Sequence, residues 1–445
     1  MTLKTFKLGG IHPPEHKISA GKAIEVMPIP TQVSIPLGQV LGVPSIPIVK
    51  RGDQVQVGQL IGKGEAFISA QVHSSVSGKV LKVDGVPDSS GYRRNAVLIE
   101  VEGDDWTDGI DRSTELNRNI RELTQSDIIE KIKSSGIVGL GGATFPSHVK
   151  LMVPKGKVAE VLLINGVECE PYLTSDHRLM LERGEELLVG CQILMKGLGV
   201  DRAIIGIENN KMDAIDHLAS LIADYPGISI QALKVQYPQG GEKQLIKACI
   251  NREVPSGKLP IEVGAVVNNV GTAFAVYEAV QKNKPLIERI VTVAGKSLME
   301  SANFQVRIGT PISQLIEKVG GLPEDTGKVI SGGPMMGKAL NSLEVPVVKG
   351  TSGILIMNAK EAKRSRAVNC IRCGKCTAVC PMGLEPFYLA QLAKYEDYSG
   401  CEKNRIMDCI ECGSCMYTCP SYRPLLDYIR LGKTQVGKLM RSRQN

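Results

Sequence analysis

The stretch from Cys370 to Pro420 constrains this chain more than any other. It reads Cys370-x2-Cys373-x2-Cys376-x3-Cys380-Pro381 and, 39 residues after the first cysteine, Cys409-x2-Cys412-x2-Cys415-x3-Cys419-Pro420. Two complete C-x2-C-x2-C-x3-C-P runs form the ligand pattern of a two-cluster iron–sulfur domain, the fourth cysteine of each run crossing to the other cluster. On that rule Cys370, Cys373, Cys376 and Cys419 hold one [4Fe–4S] cluster, and Cys409, Cys412, Cys415 and Cys380 hold the other. Three cysteines spaced two residues apart wrap one short loop around three irons, and the distant fourth ties the two halves of the domain together. Each proline then turns the chain away, having no N–H to donate. Structural zinc would ask for two pairs of ligands. Disulfides would ask for an oxidising compartment.

The 445 residues suffice for three or four domains, each with its own core. Apolar residues make up 43% and charged residues 22%, a globular balance, and no run approaches the roughly 18 apolar residues of a membrane span. The start, Met1 to Lys7, leads into Gly-Gly and Pro-Pro without the apolar core of a signal peptide. Eight motif cysteines and four others (Cys169, Cys191, Cys249, Cys401) point to a reducing compartment. The net charge of +7 is concentrated at Lys360, Lys363, Arg364, Arg366, Arg372 and Lys375, and again at Arg430, Lys433, Lys438, Arg441 and Arg443. Such runs suit an acidic electron carrier, an anionic membrane surface or a solvated face alike. With only 4% aromatics there is no stacking platform, so no nucleic-acid partner is expected.

Residues 1–104 alternate in short Gly- and Pro-punctuated segments without helical period, as in Gly52–Gln59 and His73–Val80. The pattern resembles the barrel-sandwich fold of lipoyl and biotinyl carriers. The tip where those carry a modified lysine reads Ser74-Ser75-Val76-Ser77, so the fold is expected without the arm and Lys79 as an exposed strand residue. Trp106, in a charged linker, is expected to pack between domains. A helix over Ile128–Ser134 precedes Gly136-Ile-Val-Gly139-Leu-Gly141-Gly142-Ala-Thr-Phe145, where four glycines in seven residues let backbone N–H groups approach an anion. No strand precedes it, so spacing alone leaves a phosphate cradle and a structural turn both open. Strands at Val161–Ile164 and Ala203–Ile207 then end in polar loops, followed by Tyr237–Lys243 and Val266–Thr272. This is an α/β rhythm whose loops converge at strand C-termini. Residues 286–357 read strand–strand–helix–strand, and 358–445 read helical around the cysteines, with helices over Leu384–Tyr395 and Leu425–Leu431. Cys401 falls in a polar loop outside both motifs and reads as a free thiol. The histidines His12, His16, His73, His148, His177 and His217 read as structural.

Gly139–Lys150, Asn165–Pro171, Gly240–Lys243 and Asn268–Thr272 resemble, in order, the flavin site of the FMN-binding, NADH-oxidising subunit of respiratory complex I. Together with Gly9-Gly-Ile-His-Pro-Pro-Glu-His-Lys17, Ser331–Gly337 and the double cysteine motif, the whole chain resembles the C subunits of the Rnf electron transport complexes. These are ion-translocating ferredoxin:NAD+ oxidoreductases of bacterial membranes.

The resemblance implies four units: a barrel-sandwich domain (1–104), an FMN/NADH-binding α/β domain (120–285), a soluble-ligand-binding β-grasp module (286–357) and a helical, ferredoxin-like two-[4Fe–4S] domain (358–445). It implies FMN, with Gly139, Gly141 and Gly142 cradling the phosphate and Lys150 near the flavin. Phe145 would stack on the nicotinamide nucleotide, and Asn165, Glu168 and Glu170 would line the pocket. Glu242, Asn268 and Asn269 would hold the rest of FMN. It implies NAD(H) as electron donor or acceptor, with no acid–base catalytic residue. The expected partners are membrane-embedded subunits and a ferredoxin-type cluster subunit, reached from the cytoplasmic side of the membrane as a peripheral protein. Leu140, Val167, Lys243 and Gly271 stand where the complex I pattern has Arg, an acid, Glu and Glu. They keep open an electron relay without nucleotide chemistry, and a related cobalamin reductase of bacterial microcompartments is the other alternative.

Overall fold

The computed structural model describes residues 2–443; Met1, Gln444 and Asn445, at the outer ends of the first and last expected domains, lie outside it. The first unit contains β1 (Ile24–Val26), β2 (Gln32–Pro36), β3 (Ile46–Pro47), β4 (Gln54–Val55), β5 (Leu60–Lys63), β6 (Val72–His73), β7 (Gly78–Pro87) and β8 (Arg93–Val101). Strands β2, β8, β7 and β4 form one sheet, and β3, β5 and β6 face it as a second. Alternation turns Val33 and Ile35 of β2 and Val97 and Ile99 of β8 to the inside, and all four are fully buried. The Ser74–Ser77 tip is itself covered: Ser75 donates to the Ile308 carbonyl, and Arg307 donates to the Ser75 carbonyl at 2.9 Å. A tip so buried has no room for a swinging arm, and Lys79 is exposed. Trp106 lies between the guanidinium groups of Arg112 and Arg307, 4.8 and 4.7 Å from its ring centroid, and so joins this unit to the third.

The second unit opens with α1 (Gln125–Ser134), started by a reciprocal cap between Thr124 and Asp127. It continues through α2 (Ser147–Leu151), β9 (Val161–Asn165), α3 (Ser175–Glu182), α4 (Gly184–Leu198) and β10 (Ala203–Glu208). It ends with α5 (Met212–Leu221), β11 (Ile228–Leu233), α6 (Glu242–Ile250), β12 (Ala265–Asn269) and α7 (Val270–Gln281). The four strands are parallel in the order β11-β10-β9-β12. Both faces are covered, as a parallel sheet requires. Leu162 and Ile164 share a core with α4 and α7, while Val161 and Leu163 pack on Leu245 and Ile246 of α6. Helices α4 and α7 touch so closely that a Cβ on Gly190 would lie 2.0 Å from the Ala273 carbonyl oxygen.

The strand order reverses at β9: β10 and β11 add on one side and β12 on the other. Loops leaving β9 and β12 therefore diverge, and a crevice opens at their C-terminal ends. This topology positions the site.

In the third unit β13 (Glu288–Ala294), β14 (Ala302–Arg307), α8 (Ile312–Lys318), β15 (Thr326–Ser331), β16 (Lys338–Ala339) and β17 (Gly353–Asn358) build a mixed sheet. Its edge strand is β1, paired parallel with β14. Residues ahead of β1 form a strap along the second unit, bridging Lys4 to Leu233 and Ile11 to Tyr237.

The fourth unit is helical: α9 (Ala359–Ala362), α10 (Lys375–Ala378), α11 (Pro386–Lys394), α12 (Tyr398–Lys403), α13 (Ser414–Tyr417) and α14 (Leu425–Ser442). Two expectations are corrected here. Cys401 is not in a loop but in α12, fully buried, because Asp397 caps a short helix whose inner side faces α11 and α14. The last helix runs eleven residues beyond Leu431, since Gly432 lets it press on Ala393 and Val436 continues the buried stripe. Among the described residues no helix is long and apolar enough to cross a membrane.

Candidate functional site

The glycine-rich loop closes on itself through Gly139 N–H to the Phe145 carbonyl at 2.8 Å. It is tied to α7 by Leu140 N–H to the Thr272 hydroxyl at 2.9 Å. Gly141 and Gly142 are exposed at its tip. Nothing lies within 4 Å of a Cβ built on Gly142, whose φ of +116° only glycine holds without strain, whereas one on Gly141 would meet the Asn269 Cβ at 3.3 Å. The loop thus lies over the N-terminus of α7, where free amides and the helix dipole favour an anion.

Around it the crevice collects most of the expected residues. Asn165, ending β9, donates to the Gly240 carbonyl at 2.9 Å and accepts from Val167 N–H. Asn269, ending β12, caps α7 through Gly271 N–H at 2.8 Å and donates to Asp176 at 2.6 Å. Lys150 reaches Glu242 at 3.0 Å and the Val267 carbonyl at 2.8 Å. Asn268 is 4% exposed, yet its amide nitrogen has no partner. A buried donor without a partner costs about 1–3 kcal/mol. With the open glycine cradle beside it, this donor fits a crevice built for a polar, phosphate-bearing cofactor.

Two expected residues turn elsewhere. Glu168, at a φ of +46°, caps α3 by accepting from Asp176 N–H at 2.8 Å and His177 N–H at 3.1 Å. Glu170 points to the junction with the third and fourth units, accepting from Met335 and Met336 N–H at 3.1 and 2.8 Å. Burial pushes Glu170 and Glu208 up to about 7. Asp176 is raised too, by burial and then by the charge of Glu168. Lys17 from the strap donates to the Glu168, Glu170 and Leu173 carbonyls, and burial lowers it to about 8.

Arg289 was not legible in the sequence. It comes from β13, is buried, and donates to the Thr351 and Leu140 carbonyls at 3.2 and 3.4 Å, so the third unit braces the glycine loop. A cavity of about 100 Å³ adjoins it, lined among others by Leu140, Asp176, Gly271 and Phe274. Leu140 and Gly271, two of the departures from the complex I pattern, leave that space open.

The cysteines divide into a more buried set, with Cys380, Cys412 and Cys415 buried and Cys409 half-buried, and a more exposed one. Cys380, Cys409, Cys412 and Cys415 line one small apolar pocket with Pro381, Leu384, Leu389 and Leu426. These four are the set that the crossing rule assigns to one cluster. Burial raises Cys409 to about 11 and lifts Cys412 and Cys415 as well. Among the described residues no three His, Cys, Asp or Glu side chains are placed to hold a metal ion, while the four cysteines share the lining of that one pocket. Of the other set, Cys370 and Cys373 are exposed, and Cys376 and Cys419 are half-buried.

The segment from Tyr237 to Gln244, a loop running into the first turn of α6, joins crevice and cavity. Its Gly240 and Glu242 face the crevice, while the Tyr237 hydroxyl donates to the Cys412 carbonyl at 2.8 Å. The Gln244 amide donates to the Pro381 carbonyl at 3.2 Å.

Comparison with known proteins agrees with this geometry. Family models match in order: RnfC barrel sandwich hybrid domain over residues 4–104, Nuo51 FMN-binding domain over 132–278, SLBB domain over 290–339 and 4Fe-4S dicluster domain over 362–420. The C subunit of the proton-translocating ferredoxin:NAD(+) oxidoreductase complex of Clostridium ljungdahlii is 45% identical over 89% of this chain and 86% of that relative. The C subunit of the Na(+)-translocating complex of Acetobacterium woodii is 44% identical over 97% of both chains. The C subunit of the ion-translocating oxidoreductase complex of Rhodobacter capsulatus is 41% identical over 90% of this chain and 78% of its own length. Among solved structures, a chain of an air-oxidised NAD+-reducing [NiFe]-hydrogenase shares the fold at a TM-score of 0.50 and 15% identity, over 70% of this chain and 66% of that one. The chain therefore carries an FMN-binding domain and a two-[4Fe–4S] domain, and it belongs to the RnfC family, the C subunits of the ion-translocating ferredoxin:NAD+ oxidoreductase complexes.

Proposed function

We propose that this chain moves electrons between NAD(H) and its two [4Fe–4S] clusters by way of FMN, as one component of an ion-translocating ferredoxin:NAD+ oxidoreductase. The observation that carries this reading is the Tyr237–Gln244 segment, which touches the crevice at Gly240 and Glu242 and the four-cysteine cavity at its two ends. Bound FMN exchanges a hydride for two single electrons, and the clusters carry them one at a time.

The residues of this chain supply place and environment. Amides of Gly141 and Gly142 with the N-terminus of α7 would receive the phosphate; Gly139, whose own N–H goes to the Phe145 carbonyl, closes their loop, and Arg289 holds it. Lys150, Asn165, Glu242, Asn268 and Asn269 hold the rest of the cofactor, and Phe145 stacks on the nucleotide. Glu168 acts from below, by fixing α3, and Glu170 walls the pocket toward the cysteines. Cys380, Cys409, Cys412 and Cys415 ligate the cluster nearer the flavin crevice. Cys370, Cys373, Cys376 and Cys419 ligate the outer one, whose exposed edge meets the next carrier.

No residue is needed to translocate ions. That task falls to membrane-embedded subunits, on which this chain docks as a peripheral protein at the cytoplasmic face beside a ferredoxin-type cluster subunit. Similar identity to a proton-translocating and a Na+-translocating relative chooses neither ion. Basic residues of α14 are candidates for docking, although Arg430 and Lys433 pair with Glu411 and Arg443 pairs with Glu402.

An anaerobic NADH titration of the reconstituted protein tests the reading. Flavin and cluster absorbance should bleach together, with one FMN and about eight irons per chain from the two-motif count. Iron without NADH bleaching would make the chain a relay, as the apolar Leu140 and Val167 allow.

A further inference from the structure

We infer that Tyr237 and Gln244 are positioning residues that set the reduction potential of the buried cluster, held in register by the Gly9–Ile11 strap. This rests on the assignment of Cys380, Cys409, Cys412 and Cys415 to one cluster beside the flavin crevice. Tyr237 is 2% exposed, and its hydroxyl donates to the carbonyl of Cys412, itself one of the four cysteines. Gln244 is 4% exposed and donates to the carbonyl of Pro381, the residue after Cys380. One contact falls on each cysteine motif, and both fall on the buried set. Among the described residues no side chain of the flavin unit donates to the backbone at Cys370, Cys373, Cys376 or Cys419.

The strap fixes this arrangement. Gly10 N–H donates to the Val379 carbonyl at 2.9 Å, and Ile11 and Tyr237 exchange backbone hydrogen bonds at 2.9 and 2.8 Å. A Cβ on Gly9 would stand 2.6 Å from both the Cys380 carbonyl carbon and the Val379 oxygen, and Gly9 has a φ of +69°. Backbone cannot retreat as a flexible side chain would, so only glycine lets the strap pass this close to a cluster ligand. The Gly-Gly-Ile of the N-terminal motif thereby acquires a physical role.

Reduction adds a negative charge to the cluster. A donor aimed at a ligand carbonyl offsets that carbonyl's negative end and so favours the reduced form, more strongly in a dry interior than in water. Removing the donor therefore lowers the potential of the nearby cluster and leaves the distant one in place.

The test is a mediated redox titration followed by EPR on Tyr237→Phe, Gln244→Leu and the double variant, with Cys373→Ser used to assign the signals. The phenylalanine ring keeps the packing and loses only the hydroxyl. With FMN and iron content unchanged, the buried cluster should titrate at a more negative potential in each variant, furthest in the double. The exposed cluster and the flavin should hold their wild-type values. Unchanged potentials for both clusters would overturn the inference, as would an equal shift of both, which would mark general loosening. Dithionite and mediators supply the electrons, so the result stands apart from nucleotide chemistry. If NADH bleaches nothing in the wild type, the proposed function fails while the potentials still decide this point.

Discussion

Replacing Glu170 by glutamine asks whether the junction between the flavin unit and the buried cysteines is dry. The carboxylate accepts from two backbone amides, and the Tyr237 hydroxyl stands 3.4 Å away. Even so, burial lifts its pKa from the usual 4.5 to about 7, because loss of water outweighs the amides and Lys17. A carboxyl raised in the folded state favours folding when protonated. Its contribution is fully present below pH 4.5 and is lost as pH rises through 7. The gap between the two values corresponds to about 3 kcal/mol, most of it lost between pH 5 and 8.

The glutamine variant lacks this slope. It starts weaker at pH 5, since one carbonyl oxygen cannot serve every donor, a cost of about 1–3 kcal/mol. Between pH 5 and 8 it then regains about 2–3 kcal/mol relative to wild type. Urea unfolding at several pH values reads the difference. Because a multidomain cofactor protein need not unfold in two states, the infrared band of a protonated carboxyl, absent from the variant, gives an independent reading. A wild-type band lost by pH 5, or parallel pH slopes for the two proteins, would refute the reasoning.

Other outcomes follow from the same geometry. Cys415→Ser should lower iron by about half and also lower the melting temperature, because Cys415 lies in the core of the last unit; Cys373→Ser, at the surface, should lower iron alike with little change in melting. Metal analysis beside calorimetry separates the two. Arg289→Met removes a charged donor from the Leu140 carbonyl, worth about 1.5–3 kcal/mol. FMN affinity, read by fluorescence quenching, should weaken by about tenfold or more. Gly141→Val places a branched side chain against the Asn269 Cβ, 3.3 Å away before any branch is added, and should abolish FMN retention while cluster content stays intact.

Local patterns made much of this architecture readable. The cysteine spacing implied two clusters and the crossing of the fourth ligands; Cys380, Cys409, Cys412 and Cys415 share the lining of one pocket. The polar loops after Ile164 and Val267 sit where the strand order reverses, because β-strands ending in Asn deliver that side chain to the crevice. What escaped was long-range. Arg289 stands beside Glu288 at the charged start of β13, and no spacing ties it to Leu140, 149 positions earlier. Glu168 and Glu170 share a loop, yet a left-handed residue at 168 sends their carboxylates to different neighbours. The strap motif was recognisable as a string, but its path beside Cys380 depends on a tertiary approach. Cys401 lies among polar residues, and only the packing of three helices hides it.

The central claim is that electrons pass between the nucleotide and the exposed cluster through the buried one. Rapid mixing with NADH, freeze-quenching and EPR at successive times tests it most directly. The account predicts that the signal lost in Cys415→Ser appears first and the signal lost in Cys373→Ser follows. Appearance of the Cys373-dependent signal first, or undiminished reduction of that cluster in Cys415→Ser, would contradict it.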